Sequence, residues 1–170
     1  ARGHCRPASD RAVVLLRRAD GALLKVLLLA TTTGYQIRSF GAAARKLGVE
    51  LVFASDRCDQ LEDPWWDHAI PIRFHHEDPS LAAIVAGFPD GPPDGILAVG
   101  DRPTILAARA AEAFGLPGNP PEAAVASRNK LATRRAFKAA GLPTPWFQPV
   151  PVDRDAYELS GHVKIGRAHV

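Results

Sequence analysis

A row of cations between residues 130 and 138 is the clearest chemical feature of the sequence. Lys130, Arg134 and Lys138 are spaced four residues apart, so a helix would carry them on one face, called here the basic stripe. Like charges at this spacing destabilise an isolated helix by about 0.2–0.5 kcal/mol per pair, and no acid between them offsets the repulsion. An anion such as a phosphate chain would compensate. The alternative interpretation is a solvated helix face.

Two further segments carry polar groups that suit a ligand. The run Thr31–Gly34 follows an aliphatic segment and offers hydroxyl groups and, at the start of a helix, backbone amides that favour an anion. A hydroxyl group that caps the helix is an equally good interpretation. Asp101 follows a later aliphatic segment. Its carboxylate suits a substrate amine or hydroxyl group, with a helix cap as the alternative.

Other motifs favour their structural interpretations. Asp56 follows a predicted strand, but the chain lacks the G-x-G-x-x-G motif that a dinucleotide fold needs for its pyrophosphate. The run His75–Asp78 has the composition of a metal site. Adjacent histidines on an extended segment point in opposite directions, which argues against a shared metal. We therefore predict no metal ligand and no nucleophilic triad in this chain.

The elements that must position these residues alternate between strands and helices. Aliphatic runs predict buried strands, and helical segments followed by glycine predict helices that end there. The predicted strands are Lys25–Ala30, Glu50–Ala54, Ala69–Ile72 and Gly95–Val99, and the predicted helices are Tyr35–Leu47, Pro79–Ala86 and a segment from Pro103 to Phe114. This alternation predicts an α/β fold with a doubly wound, Rossmann-like parallel sheet. Ligands of such sheets bind beyond the carboxyl ends of the strands.

After Leu116 the regular alternation of predicted strands and helices stops. A turn-prone connector, Gly118–Pro121, predicts a domain boundary. Beyond it the sequence predicts a short helix, a longer helix with Ser127 as its N-cap, and a strand. These elements are Glu122–Ala126, Ser127–Ala140 and Trp146–Val150.

Composition and charge narrow the classes of function. The chain has 170 residues, of which 46% are hydrophobic and 23% charged, as in globular proteins. Its net charge of +3 equals that of residues 1–24, which hold five arginines and two aspartates, so the body gives no support for nucleic-acid binding. No apolar run is long enough to span a membrane. Two isolated cysteines are typical of a reducing cytoplasm.

Both ends of the sequence are unusual. Residues 1–24 form a leader without methionine, which we interpret as read-through sequence, a transit segment or a hairpin that turns at residues 19–21. Residues 165–170 look like a translated sequencing adapter. We therefore expect the chain to be a fragment of a longer protein.

Several motifs together resemble one family. They are Leu27–Gln36, Asp101–Pro103, Gly115–Pro121, Ser127–Leu131 and Gly141–Pro145. Over residues 25–150 the chain resembles the N-terminal part of ATP-grasp ligases, especially carboxylate–amine ligases of the biotin carboxylase and carbamoyl-phosphate synthase type. The resemblance implies a pre-ATP-grasp, Rossmann-like domain over residues 25–118 and the start of an ATP-grasp domain over residues 119–164.

The resemblance also implies an activity and roles for residues. ATP and Mg²⁺ would serve the full-length parent, which would join a small-molecule carboxylate to an amine or a thiol through an acyl phosphate. By this resemblance Lys130 would contact the ATP phosphates, and Thr32, Thr33 and Gly34 would bind the other substrate. Arg134 is added to the phosphate site as the neighbour of Lys130. Asp101 is added to the substrate site because of its own position and charge, described above.

The rest of the family's machinery is expected beyond this chain, which is then inactive alone, with no catalytic or metal-binding residue of its own. The alternative function is a non-catalytic, Rossmann-like module that binds a nucleotide or a small acid. Binding of nucleic acid remains an interpretation only if the basic leader is authentic.

Overall fold

A computed structural model describes residues 17–31, 35–57 and 69–149. The strands in this part of the chain are β1 (Leu24–Ala30), β2 (Val49–Asp56), β3 (Ile70–Ile72) and β4 (Gly95–Val99). The helices are α1 (Tyr35–Leu47), α2 (Glu77–Ala86), α3 (Thr104–Ala113), α4 (Pro121–Arg128) and α5 (Lys130–Ala139). No helix among these residues is long and apolar enough to cross a membrane.

The four strands form one parallel sheet in the order β3-β2-β1-β4. This confirms the predicted α/β class and parallel sheet. Leu27, Leu28 and Leu29 of the central strand β1 are completely buried. Because successive side chains of a strand point to opposite faces, both faces of β1 are covered. Burial on both faces explains why the sequence of β1 is a continuous aliphatic run and does not alternate with polar residues.

The hydrophobic core lies where α2 and α3 meet the sheet. Its buried members are Leu27, Leu29, Ala54, Ile72, Phe74, Ile84, Phe88, Leu106 and Ala110. Leu27 and Leu29 alternate along β1 and so share one face. Ile84 comes from α2 and Leu106 from α3, so both helices cover that face.

An ion-pair cluster joins α3 to the first turn of α2. Arg109 Nη1 donates to Glu77 Oε2 at 3.1 Å, and its Nη2 donates to Asp78 Oδ1 at 2.5 Å. These hydrogen bonds, led by the one to Asp78, raise the pKa of the Arg109 guanidinium group above its usual value. Two acids of the His75–Asp78 run thus have a structural role.

The longer helix after Gly118 begins later than the sequence predicts. Ser127 was the expected N-cap, but α4 runs through it, and its hydroxyl group donates to the Ala124 carbonyl at 2.8 Å. The N-cap of α5 is Asn129, whose Oδ1 accepts from the amides of Leu131 and Ala132, both at 3.0 Å. The Ser127 prediction is wrong because that hydroxyl group is already used within α4.

The strand predicted over Trp146–Val150 is also wrong for residues 146–149, which belong to no strand or helix. Trp146 is 71% exposed. A strand needs a partner for its backbone groups, and none of the described strands pairs with this segment. Val150 lies outside the described residues.

Contacts divide the chain into two compact units, with the division after Arg128. The first unit holds the sheet and α1–α4, and the second holds α5. The predicted domain boundary after Gly118 stays a prediction.

Within the leader, an antiparallel bridge joins Arg17 to Leu23 around Gly21, whose φ is +85°. Residues 1–16 and 150–170 lie outside the described part of the chain, so the interpretations of the two ends stay predictions.

Candidate functional site

The carboxyl ends of β1 and β4 lie side by side. Ala30 and Val99, the last residues of these strands, are register partners. In the strand order β3-β2-β1-β4, the strands that follow β1 in the chain, β2 and β3, lie on one side of it. The next strand, β4, lies on the other side of β1. The boundary between β1 and β4 is therefore the point at which the strand order reverses, where open parallel sheets bind their ligands.

A cleft of about 320 Å³ opens at this point. It is lined by Ser39, Phe40, Ala98, Val99 and Gly100. The first two residues come from α1 and the others from the end of β4. This volume is at the lower end of the range for small-molecule sites. The cleft offers an aromatic ring and a hydroxyl group to a small ligand.

The sequence analysis missed Ser39 and Phe40. They follow the start of α1, the helix that comes directly after the Thr31–Gly34 segment. A helix that follows a ligand-binding loop presents its first turns to the same edge of the sheet. The position of Ser39 and Phe40 in the predicted helix after Thr31–Gly34 could therefore have identified them from the sequence. Thr32, Thr33 and Gly34 lie outside the described residues. Their proposed role in substrate binding stays a prediction.

Asp101 lies beyond the carboxyl end of β4, directly after Gly100. Its backbone carbonyl accepts a hydrogen bond from Thr104 Oγ1 at 2.7 Å. The N-cap of α3 is Pro103, which caps no amide with a side chain. Among the hydrogen bonds of the described residues, none involves the Asp101 carboxylate, and the side chain is exposed. The interpretation of this carboxylate as a helix cap is thus not supported.

The basic stripe lies on α5, as its spacing predicts. Lys130 is the first residue of the helix and is exposed, Arg134 is partly buried, and Lys138 is exposed in the last turn. In the described part of the chain, no ion pair joins any of the three to an acid. The helix itself contains no acidic residue. The contact of Lys130 and Arg134 with ATP phosphates stays a prediction.

The described residues were searched for a group of side chains that could hold a metal ion. Among the residues that the structure describes, no three His, Cys, Asp or Glu residues form a group able to hold a metal ion. We therefore assign no magnesium ligand here.

Part of the sheet domain matches the model of a known family. Residues 41–118 match the family model of the ATP-grasp N-terminal domain, which confirms the resemblance. The structure is also similar to the crystal structure of an L-amino acid ligase from Bacillus licheniformis, with a TM-score of 0.59 and 24% sequence identity. This likeness covers 84% of our chain and establishes its fold, but the chain spans only 35% of the length of that ligase. No curated protein matches the sequence significantly.

Proposed function

We propose that this chain, whose residues 41–118 match the ATP-grasp N-terminal domain, is the amino-terminal part of an ATP-dependent ligase. The parent enzyme would join a small-molecule carboxylate to an amine or another nucleophile such as a thiol. The family match is the observation that carries the proposal. A fold alone does not determine a function, so the proposal also depends on the residues at the site.

The non-nucleotide substrate binds at the boundary between β1 and β4 in this proposal. The cleft beside Ser39 and Phe40 supplies the volume and the apolar surface. The Thr32–Gly34 segment continues from Thr31 at the end of β1, where amides at the start of α1 favour a carboxylate group. Asp101 leaves the neighbouring strand, and its carboxylate suits a substrate amine or hydroxyl group.

The nucleotide phosphates bind to α5 in this proposal. Lys130 and Arg134 belong to a helix with four cations and no acid, a charge pattern that suits a triphosphate. Mg²⁺ would neutralise the same triphosphate when bound to the parent. The described residues do not fit a magnesium site, so its ligands are proposed to lie elsewhere in the parent.

The proposed reaction has two steps. A substrate carboxylate oxygen attacks the γ-phosphorus of ATP, the bond to the bridging oxygen breaks, and ADP leaves. The amine nitrogen then attacks the carbonyl carbon of the acyl phosphate, loses its proton to the solvent or a base, and displaces phosphate. The chain's residues contribute by positioning and by stabilising the phosphate charge. The 170-residue chain alone is proposed to be inactive, and the parent to act on small molecules in the cytoplasm.

The test measures ATP kinetics of the full-length parent. Loss of a charge-assisted hydrogen bond costs about 1.5–3 kcal/mol, so Lys130→Ala should raise the KM for ATP by about 10-fold or more. Arg135→Ala is the matched control, because Arg135 is an exposed cation of α5 outside the basic stripe. The 170-residue chain, which should release no ADP, is the negative control.

Unchanged ATP kinetics in Lys130→Ala would remove Lys130 from the phosphate site. ATP binding without carboxylate-dependent ADP release would contradict the ligase. It would favour the non-catalytic nucleotide-binding module instead.

A further inference from the structure

The two outer strands of the described sheet differ in how their edges are protected. β3 has only three residues, and Pro71 lies at its centre. A short strand that contains proline is a poor template for a further strand. β4 has five residues, Gly95–Val99, with no proline, no charge and an unbroken register with β1. Among the described strands, β1 alone pairs with β4, which leaves β4 with an open edge.

Hydrogen bonds at the start of β1 determine which backbone groups of β4 face this open edge. The Lys25 amide donates to Asp94 Oδ2 at 2.8 Å, and the Lys25 carbonyl accepts from the Asp94 amide at 2.7 Å. Backbone groups alternate in direction along a strand, so the residues two and four positions further along β1 also face β4. Their register partners are Ile96 and Ala98. In a parallel pair a residue bonds to the neighbours of its partner, so the amides and carbonyls of Ile96 and Ala98 face away from β1.

The outward backbone groups of β4 have no partner in the described part of the chain. There, no hydrogen bond outside the helices and strands involves the backbone of Ile96 or Ala98. Leu97, which lies between them, is 44% exposed, although its register partner Leu28 is completely buried. An uncharged aliphatic strand with a free edge is a template for pairing with another segment. The edge of β4 therefore favours the addition of a further strand.

A groove of about 270 Å³, called here the edge groove, lies along the same edge. Its walls include Ile96 and Ala98 of β4, Ala107 and Ala111 of α3, and Ala124 and Ser127 of α4. Most of these side chains are small, so the space between the strand and the two helices is free for a larger one. The volume is below the range of about 300–1,000 Å³ for small-molecule sites. A side chain of an added strand therefore suits the edge groove better than a free ligand does.

The position of α4 argues against a second copy of the whole chain at this edge. A copy that paired antiparallel through β4 would bring its own α3 and α4 to the same face of the joined sheet. That place is taken, because Ala124 and Ser127 of α4 share the edge groove with β4. A single extended segment brings no helices with it. α4 is also the last helix of the first compact unit, so the chain that follows it starts on the β4 side of the sheet.

We propose that an extended segment of the parent enzyme, from beyond residue 170, adds to the open edge of β4 as a further strand. The segment bonds to the backbone of Ile96 and Ala98 and places an apolar side chain in the edge groove. The inference rests on the proposed function, in which this chain is the amino-terminal part of a longer ligase. The chain spans only 35% of the similar L-amino acid ligase, so a parent of that length has enough further chain for such a segment.

The test measures amide hydrogen exchange in the 170-residue chain and in the full-length parent. An unbonded amide at a sheet edge exchanges fast, whereas an amide bonded within the sheet is protected. The Ile96 and Ala98 amides should exchange at least about tenfold more slowly in the parent. The Leu97 amide faces β1 in both proteins and is the internal reference for any difference in overall stability.

A charge in the edge groove should displace the segment. Ala98→Lys in the parent should return the Ile96 amide to the fast exchange of the 170-residue chain, because an ammonium group is costly to bury beside an apolar side chain. Ala43→Lys is the matched control, at an exposed position of α1 outside the edge groove, and should leave the exchange slow. Protection of the Leu97 amide checks that the sheet of each variant is intact.

Equal exchange of the Ile96 amide in both proteins would overturn the proposal, and so would slow exchange that survives Ala98→Lys. Protection that rises with the concentration of the 170-residue chain would assign the edge to a second copy and would also overturn it. ATP does not enter these measurements, and ATP kinetics of the same parent test the ligase proposal separately. The two failures are therefore distinguishable.

Discussion

Gly100 illustrates how one backbone angle shapes the candidate substrate site. It follows the last residue of β4 with a φ of +90°, a conformation that side chains other than glycine rarely adopt. A Cβ atom built on it would meet no atom within 4 Å. The restriction at this position therefore comes from the backbone angle and not from space. The chain leaves β4 at this turn, so Asp101 lies beyond the strand and Gly100 lines the cleft.

Gly100→Ala should lower the free energy of unfolding by about 1–2 kcal/mol, the cost of a positive φ for an L-residue. Gly95→Ala is the matched control. Its Cβ would meet only Val26 Cγ2, at 4.0 Å, and its φ is not positive. There the alanine should change stability little or raise it by up to about 1 kcal/mol. Urea unfolding of both variants checks this, and equal losses would contradict the backbone explanation.

At the scale of elements, the residues between α4 and α5 decide where the helix that carries the basic stripe begins. Ser127 and Asn129 are both good N-cap residues. The choice depends on α4, which packs against α3 and buries Ala124. This packing keeps Ser127 inside α4, so the cap passes to Asn129 and α5 begins at Lys130. Local residue preferences could not reveal this, because the choice depends on packing against another helix and not on the residues at the cap.

The two candidate caps can be separated by amide hydrogen exchange. Removing an N-cap side chain costs about 1 kcal/mol, so Asn129→Ala should speed exchange of the Leu131 and Ala132 amides about fivefold. Ser127→Ala should leave these two amides unchanged, since its hydroxyl group bonds to the Ala124 carbonyl. The reverse pattern would show that Ser127 caps the helix.

At the scale of the whole molecule, the sheet and its core depend on contacts between remote segments. Ile84 of α2 and Leu106 of α3 pack in one cluster with Leu27 and Leu29 of β1. The aliphatic run of β1 predicted Leu27 and Leu29 as buried, and the sequence predicted the two helices without saying which of their residues are buried. Neither the strand order nor the grouping of α2 with α3 on one face could be derived from these predictions, because both depend on which elements meet.

Ile84→Ala should lower the free energy of unfolding by about 2–5 kcal/mol, because it leaves a cavity in the core. Ile84 is completely buried, whereas its neighbour Val85 is 44% exposed. Val85→Ala in the same helix should therefore cost less than about 1 kcal/mol. Chemical unfolding monitored by circular dichroism measures both. Similar losses would indicate that α2 is packed differently.

The sequence by itself determined the local features: the aliphatic strands, most helices, the glycines that end α1, α3 and α5, and the spacing of the basic stripe. These follow from side-chain periodicity and backbone preferences within a few residues. Only the tertiary structure decided that Thr31 and Gly100 leave neighbouring strands, and that Arg57 lies beside Arg73. The physical reason is that parallel strands are joined by long connections, so their partners and register are set by non-local pairing.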